Sequence, residues 1–110
     1  MRQYQVNELT REERQAIAGF LNRNTKAGVL DGLFWLPVPP DLGNSVQQEH
    51  ANCGPFYFAI ELGEDFVSFE LLVRSSISLH CACIGYAAPQ QRDFLIDFIE
   101  RMLAEEKIRA

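Results

Sequence analysis

The sequence predicts an α+β fold: a four-stranded, mainly antiparallel sheet, flanked by an N-terminal and a C-terminal helix. The sheet consists of one strand, a long loop and a three-strand meander. Near both ends apolar residues follow the helical period of 3.6, whereas between about residues 29 and 89 they follow the strand period of two. The chain has 110 residues, 47% hydrophobic and 23% charged, which is typical of a globular domain and excludes a disordered chain. Residues 1–110 are therefore predicted to form a single domain.

A capping box and an apolar stripe predict the first helix over Arg11 to Arg23. Thr10 is expected to accept a hydrogen bond from the amide of Glu13, whose side chain returns to Thr10. Pro89 suits the first position of the second helix. The apolar residues of this second helix recur at helical spacing: Phe94, Leu95, Phe98, Ile99, Met102 and Leu103. Each helix thus has one apolar side to pack on the sheet.

Strict alternation of apolar and polar residues predicts a β-hairpin over residues 56–73. With a two-residue loop, Ile60 pairs with Phe69 and Phe58 pairs with Leu71. This register places eight apolar side chains on one face of the hairpin. Either both helices pack on this face, or one helix packs on each face of the sheet.

The remaining strands are predicted on either side of this hairpin. A third meander strand is expected over residues 77–86, and an earlier edge strand over residues 29–36, which three prolines end. The long connection, residues 37–55, is unusually long for a structureless loop. A capping box that starts at Ser45 therefore predicts a short helix over residues 46–52.

Two registers are open for the last meander strand. One aligns Leu71 with His80, and the other aligns Leu71 with Cys81. The second is preferred, because it buries Leu79, Cys81 and Cys83 and leaves the polar His80 on the wet face of the sheet.

All cysteines and histidines of the chain lie in the pattern His50-x-x-Cys53 and His80-Cys81-x-Cys83. Thiolate and imidazole are the ligands that tetrahedral zinc prefers. The spacing therefore predicts a zinc site formed by His50, Cys53, Cys81 and Cys83, with His80 as a substitute for one ligand. Such a site would tether the long connection to the sheet. The competing interpretation, which the preferred register follows, makes Cys81 and Cys83 small apolar residues of the core.

The sequence does not predict an enzyme, and no catalytic residues are assigned. His50 and Cys53 have helical spacing, but Cys53 would lie near a helix C-terminus, where the helix dipole does not lower a thiol pKa. Cys53-Gly54-Pro55 is followed by Phe56, so the second thiol of a redox motif is missing. Glu61 and Glu70 are expected on a solvated face, too far apart to share a proton.

Charge and cysteine content indicate the class of partner and the compartment. Ten Lys and Arg against fifteen Asp and Glu give a net charge of −5, which argues against nucleic acid and anionic membranes as partners. The polar segment from Met1 to Glu13 does not resemble an export signal. Three cysteines are an odd count that does not suit a disulfide framework, so a reducing cytoplasm is the expected location.

The face of the sheet opposite the eight-residue apolar row is called the outer face here. It is predicted to be too apolar for a fully wetted surface, and it includes Tyr57, Phe66, Leu72, Ile84 and Tyr86. Either the long loop or a helix of the same chain covers this face, or a second chain does. In the second case the predicted function is a small acidic intracellular protein-interaction module that forms a homodimer, or binds another protein, through this face. The alternative function is a zinc-binding protein that uses the His and Cys site; apart from zinc, no cofactor is predicted.

Overall fold

The computed structural model describes residues 2–109; Met1 and Ala110 lie outside the described residues. It confirms the α+β fold, but within these residues the sheet has six strands instead of four. The elements are β1 Gln3–Val6, α1 Arg11–Asn24, β2 Lys26–Ala27, β3 Leu33–Pro37, α2 Ser45–Glu49, β4 Phe56–Leu62, β5 Val67–Ser75, β6 Gly85–Tyr86 and α3 Pro89–Glu105. Two short 3₁₀ turns, Pro40–Leu42 and Ala51–Cys53, lie in the long connection.

The sheet is antiparallel throughout, in the order β1-β5-β4-β3-β2. β6 pairs with β5 as well, on the same edge as β1. β1 occupies residues 67–70 of that edge, and β6 occupies only Leu72 and Val73. The polar N-terminal segment gave no strand prediction, so β1 is an addition to the predicted fold.

Both long helices pack on the same face of the sheet. The predicted capping box of α1 is present, with the Glu13 amide donating to Thr10 Oγ1 at 3.1 Å. The rings of Phe20 in α1 and Phe98 in α3 meet edge to face, with centroids 5.4 Å apart. The helices and the inner sheet face share one core, whose fully buried large side chains include Ile17, Phe20, Leu21, Phe58, Ile60, Phe69, Leu95, Ile99 and Met102. Neither long helix covers the outer face.

The central hairpin forms as predicted, with one change of register. Ile60 pairs with Phe69, but Phe58 pairs with Val73, so the predicted pairing of Phe58 with Leu71 is wrong. The register shifts between Phe58 and Ile60, where an irregularity of the bulge type adds residues to one strand.

The predicted third meander strand is largely wrong. Residues 76–84 form an irregular loop, called the 76–84 loop below, and only Gly85–Tyr86 is a strand. Both predicted registers fail, since Leu79 is 81% exposed and Cys81 is half-buried outside any strand. The reason is that β1 already holds residues 67–70 of the β5 edge, which a third strand over residues 77–86 would also need.

The predicted edge strand and the helix of the long connection are both shorter than predicted. β3 begins at Leu33 instead of residue 29. The helix of the long connection spans Ser45–Glu49, and its N-cap is Asn44, so the capping box predicted from Ser45 is wrong by one residue. In the described part of the chain, no helix is both long enough and apolar enough to span a bilayer.

Candidate metal centre

Four of the five predicted ligands meet at one end of the sheet. The side-chain ligand atoms of His50, Cys53, Cys81 and Cys83 all lie within 4.8 Å of one another. The first two residues come from the long connection and the last two from the 76–84 loop. His80 is exposed and stands outside this cluster, so its predicted role as a substitute ligand is not supported by its position.

The separation of two of the sulfurs matches a tetrahedral thiolate site. Cys53 Sγ lies 3.8 Å from Cys81 Sγ, and His50 Nδ1 lies 3.0 Å from the same Cys81 sulfur. With Zn–S bonds of about 2.3 Å and tetrahedral angles, two sulfurs are expected about 3.8 Å apart. The arrangement of the four residues can therefore hold a metal ion.

His50 and Cys53 are brought together by a tight turn after α2. The amide of His50 donates to the carbonyls of Val46 and Gln47, which ends the helix at this residue. The amide of Cys53 then donates to the His50 carbonyl at 2.8 Å, and this closes the 3₁₀ turn Ala51–Cys53. The three-residue spacing was expected to place both side chains on one side of an α-helix. It does place them on one side, but on a 3₁₀ turn.

Ser75 joins the two halves of the centre at the end of β5. Its hydroxyl donates to the carbonyl of Cys53 and accepts from the amides of Ile77 and Ser78 at 3.1 and 3.0 Å. One buried side chain thereby links the backbone of a ligand residue in the long connection to the start of the 76–84 loop. No sequence pattern pointed to this role of Ser75.

The 76–84 loop presents its two cysteines through a reverse turn. The amide of Ile84 donates to the Cys81 carbonyl at 3.1 Å. The amide of Cys83 donates to the Cys81 sulfur at 3.5 Å. Such N–H···S contacts favour the thiolate form, because they place a donor against the charged sulfur.

Two buried glutamines fix Cys83 to the helices. Gln47 Nε2 donates to the Cys83 carbonyl at 3.1 Å, and Gln91 Nε2 donates to Gln47 Oε1 at 2.6 Å. Gln91 Oε1 in turn accepts from the amide of Ala88 at 2.9 Å. The two side chains are 2% and 0% exposed, so their amides depend on these partners. Neither glutamine was predicted to have this role, although the spacing Asn44-x-x-Gln47 is the capping-box signal that marks the first.

The cysteines of the 76–84 loop have opposite pKa shifts. Hydrogen bonds from the thiol and then the amide of Cys83 lower the pKa of Cys81 to about 7. Burial raises the pKa of the Cys83 thiol to about 12. Of these two thiols, Cys81 is therefore the first to lose its proton. Cys83 needs a positive charge nearby to ionise, and a bound metal ion supplies one.

The residues predicted on the outer face lie at the surface, at least in part: Tyr57, Phe66, Leu72 and Ile84 are half-buried and Tyr86 is exposed. Tyr57 stacks on Trp35, with ring centroids 4.4 Å apart. The guanidinium of Arg2 lies 3.7 Å from the centroid of the Tyr86 ring. Contacts within the chain thus cover part of this aromatic surface.

Glu61 and Glu70 do not form a carboxylate pair. Glu70 binds Arg74 with two contacts, of 2.8 and 3.2 Å, and this hydrogen bonding raises the pKa of Arg74. Glu61 is exposed and lies opposite Ser68 on the neighbouring strand.

The chain matches no protein-family description, and neither the curated proteins nor the solved structures give a significant match.

Proposed function

We propose that this chain is a zinc-binding protein in which a structural zinc ion tethers the long connection to the 76–84 loop. The ligands are His50 Nδ1 and the sulfurs of Cys53, Cys81 and Cys83. One observation carries the proposal: four zinc-type donors from two segments that are distant in sequence converge within 4.8 Å.

The position of the cysteines supports a ligand role over a role in the core. Cys83 is 1% exposed, yet it lies outside the main hydrophobic core that the helices and the sheet share. Cys53 and Cys81 are only half-buried, and their sulfurs lie 3.8 Å apart. Cysteines placed for apolar packing have no need to meet at one point with a histidine.

The local structure explains what a metal would contribute. The two segments that supply the ligands contain only five residues of α-helix and two short 3₁₀ turns between β3 and β4, and no strand between Ser75 and Gly85. Segments with so little regular structure bury few backbone hydrogen bonds, so a cross-link stabilises them. A structural zinc supplies such a cross-link, and its binding free energy adds directly to folding.

The groups around the ligands support the same role. Gln47 fixes the Cys83 carbonyl, and Ser75 fixes the Cys53 carbonyl, so both segments are held by side chains that are themselves buried. Hydrogen bonds of this kind around a metal site orient the ligands. Four protein ligands close a tetrahedral shell, and this favours a structural ion over a catalytic one.

Metal content tests the proposal directly. The full chain is purified without chelator and without a metal-affinity step, and zinc per chain is measured by elemental analysis. About one zinc per chain is expected, with a lower melting temperature after chelation, because the ion contributes folding free energy. Zinc below about 0.1 per chain, with unchanged thermal stability after chelation, contradicts the proposal.

Two matched variants make this test specific. Cys83→Ser removes a proposed ligand and is expected to abolish stoichiometric zinc binding. His80→Ala removes an exposed histidine of the same loop and is expected to leave zinc content unchanged. Cobalt substitution gives a second readout, since thiolate-to-cobalt absorption bands are expected in the native chain and the His80 variant but not in the Cys83 variant.

A further inference from the structure

The three cysteines of the metal centre differ in how accessible they are. Cys53 and Cys81 are half-buried, and their sulfurs lie 3.8 Å apart. Cys83 is 1% exposed, and its carbonyl is anchored by Gln47. The first two residues are therefore more accessible to an oxidant in solution than the third.

We infer that Cys53 and Cys81 are a redox-active pair, which a hydroperoxide converts to a disulfide with release of the bound metal. The inference rests on the proposed zinc site, because it assigns a mode of regulation to that site. A closure of about 1.8 Å brings the two sulfurs from their present separation to the disulfide bond length of about 2.05 Å.

The surrounding structure allows the two sulfurs to approach through movement of Cys81, while Cys53 stays in place. The backbone of Cys53 is held by the His50 carbonyl and by Ser75. Cys81 lies in the 76–84 loop, outside any helix or strand, and neighbouring residues such as Leu79 are exposed. Movement of Cys81 toward Cys53 therefore disturbs little packing, whereas Cys83 is held in place by the buried glutamines.

The reaction proceeds in two balanced steps. One thiolate attacks a peroxide oxygen, the O–O bond breaks, and the products are a sulfenic acid and hydroxide. The other thiolate then attacks the sulfenic sulfur, the S–S bond forms, and a second hydroxide leaves. In total two thiolates and hydrogen peroxide give one disulfide and two hydroxides, so each sulfur loses one electron and the two peroxide oxygens gain them.

Oxidation exchanges one cross-link for another. The disulfide joins the same two segments that the metal joins, but it removes two of the four ligands. His50 and the buried Cys83 are left, and two ligands are too few for a closed zinc site. The chain is therefore expected to release its metal while the long connection stays attached to the 76–84 loop.

The experiment uses the full zinc-loaded chain and hydrogen peroxide. Zinc release is followed with a chromogenic chelator, and the oxidised chain is examined by intact mass and by peptide mapping without reduction. Full release of the zinc is expected, with the same time course as a mass loss of two hydrogen atoms and a Cys53–Cys81 cross-linked peptide. Dithiothreitol followed by zinc is expected to restore the starting state.

Variants of the metal-free chain identify the pair. Cys83→Ser is expected to form the intramolecular disulfide, whereas Cys53→Ser and Cys81→Ser are expected to form none. Zinc retained under peroxide with all thiols intact overturns the inference and leaves the proposed function standing, as does release accompanied by a disulfide to Cys83. A chain that never holds zinc refutes the proposed function. Peptide mapping of the peroxide-treated chain then tests the Cys53–Cys81 pair independently of any metal.

Discussion

Ser75→Ala tests how the two halves of the centre are joined. The Ser75 hydroxyl is buried and makes three hydrogen bonds, to the Cys53 carbonyl and from the amides of Ile77 and Ser78. Each such bond contributes about 0.5–1.5 kcal/mol net, and the two amides share one oxygen, so a loss of about 2–4 kcal/mol is expected. Because the mutation also frees the backbone of a ligand, zinc affinity is expected to fall about 10–100-fold.

The neighbouring serine provides the matched control. Among residues 2–109, Ser76 has the one buried side-chain oxygen that lacks a hydrogen-bond partner. Removal of an unpaired buried hydroxyl abolishes no bond, so Ser76→Ala is expected to be neutral or stabilising by up to about 1 kcal/mol. The two variants thus remove the same atom from adjacent residues. The free energy of unfolding is expected to fall for Ser75→Ala and to stay the same or rise for Ser76→Ala.

Two measurements decide this prediction. Urea unfolding of the chelated proteins gives the free energy of unfolding without any metal contribution, and competition with a chromogenic chelator gives the zinc affinity. The reasoning is refuted if Ser75→Ala costs less than about 0.5 kcal/mol, or if Ser76→Ala is destabilised as much as Ser75→Ala.

Three further predictions concern the supports of the site and of the fold. Gln91→Leu removes the donor to Gln47 Oε1 and the acceptor of the Ala88 amide, so a loss of about 1–3 kcal/mol in unfolding free energy is expected; additive effects with Gln47→Leu in a double-mutant cycle would contradict the bridge. Gly63→Ala places a Cβ against the ring of Phe66 and is expected to cost about 1–3 kcal/mol by urea unfolding, whereas Gly85→Ala meets no atom and is expected to be neutral; equal effects would contradict this packing. The homodimer stays a prediction, in which sedimentation shows a mass above 12.5 kDa that rises with concentration; a single 12.5 kDa species at high micromolar concentration would exclude it.

The elements that could be predicted are those whose signal is local. The capping box at Thr10, the helical stripe of α3 and the alternation of the central hairpin each follow from neighbouring residues, and each is present. The pairing of Ile60 with Phe69 was also predictable, since a short loop determines the register next to it. The register beyond Phe58 was not predictable, because an irregularity within a strand leaves no periodic signal.

The candidate site was also predictable only in part. The sequence reveals the donor types and their spacings, and so it predicts His50, Cys53, Cys81 and Cys83 as a possible ligand set. The hydrogen bonds that hold this set, from Ser75 and Gln47, come from polar residues with no distinctive spacing to the ligands. Only folding of the chain brings such residues next to their partners.

What the sequence by itself determined is the α+β class, the two long helices, the hairpin and the chemistry of the ligands, since each depends on local periodicity or residue type. What only the tertiary structure decided is the outcome for residues 77–84. Their alternation is equally consistent with a strand, but a strand needs a free edge. β1, from the other end of the chain, occupies residues 67–70 of the β5 edge that such a strand would need. These residues form a loop instead, and the loop carries Cys81 and Cys83 to His50 and Cys53. Edge occupancy depends on residues more than sixty positions away, so no local pattern records it.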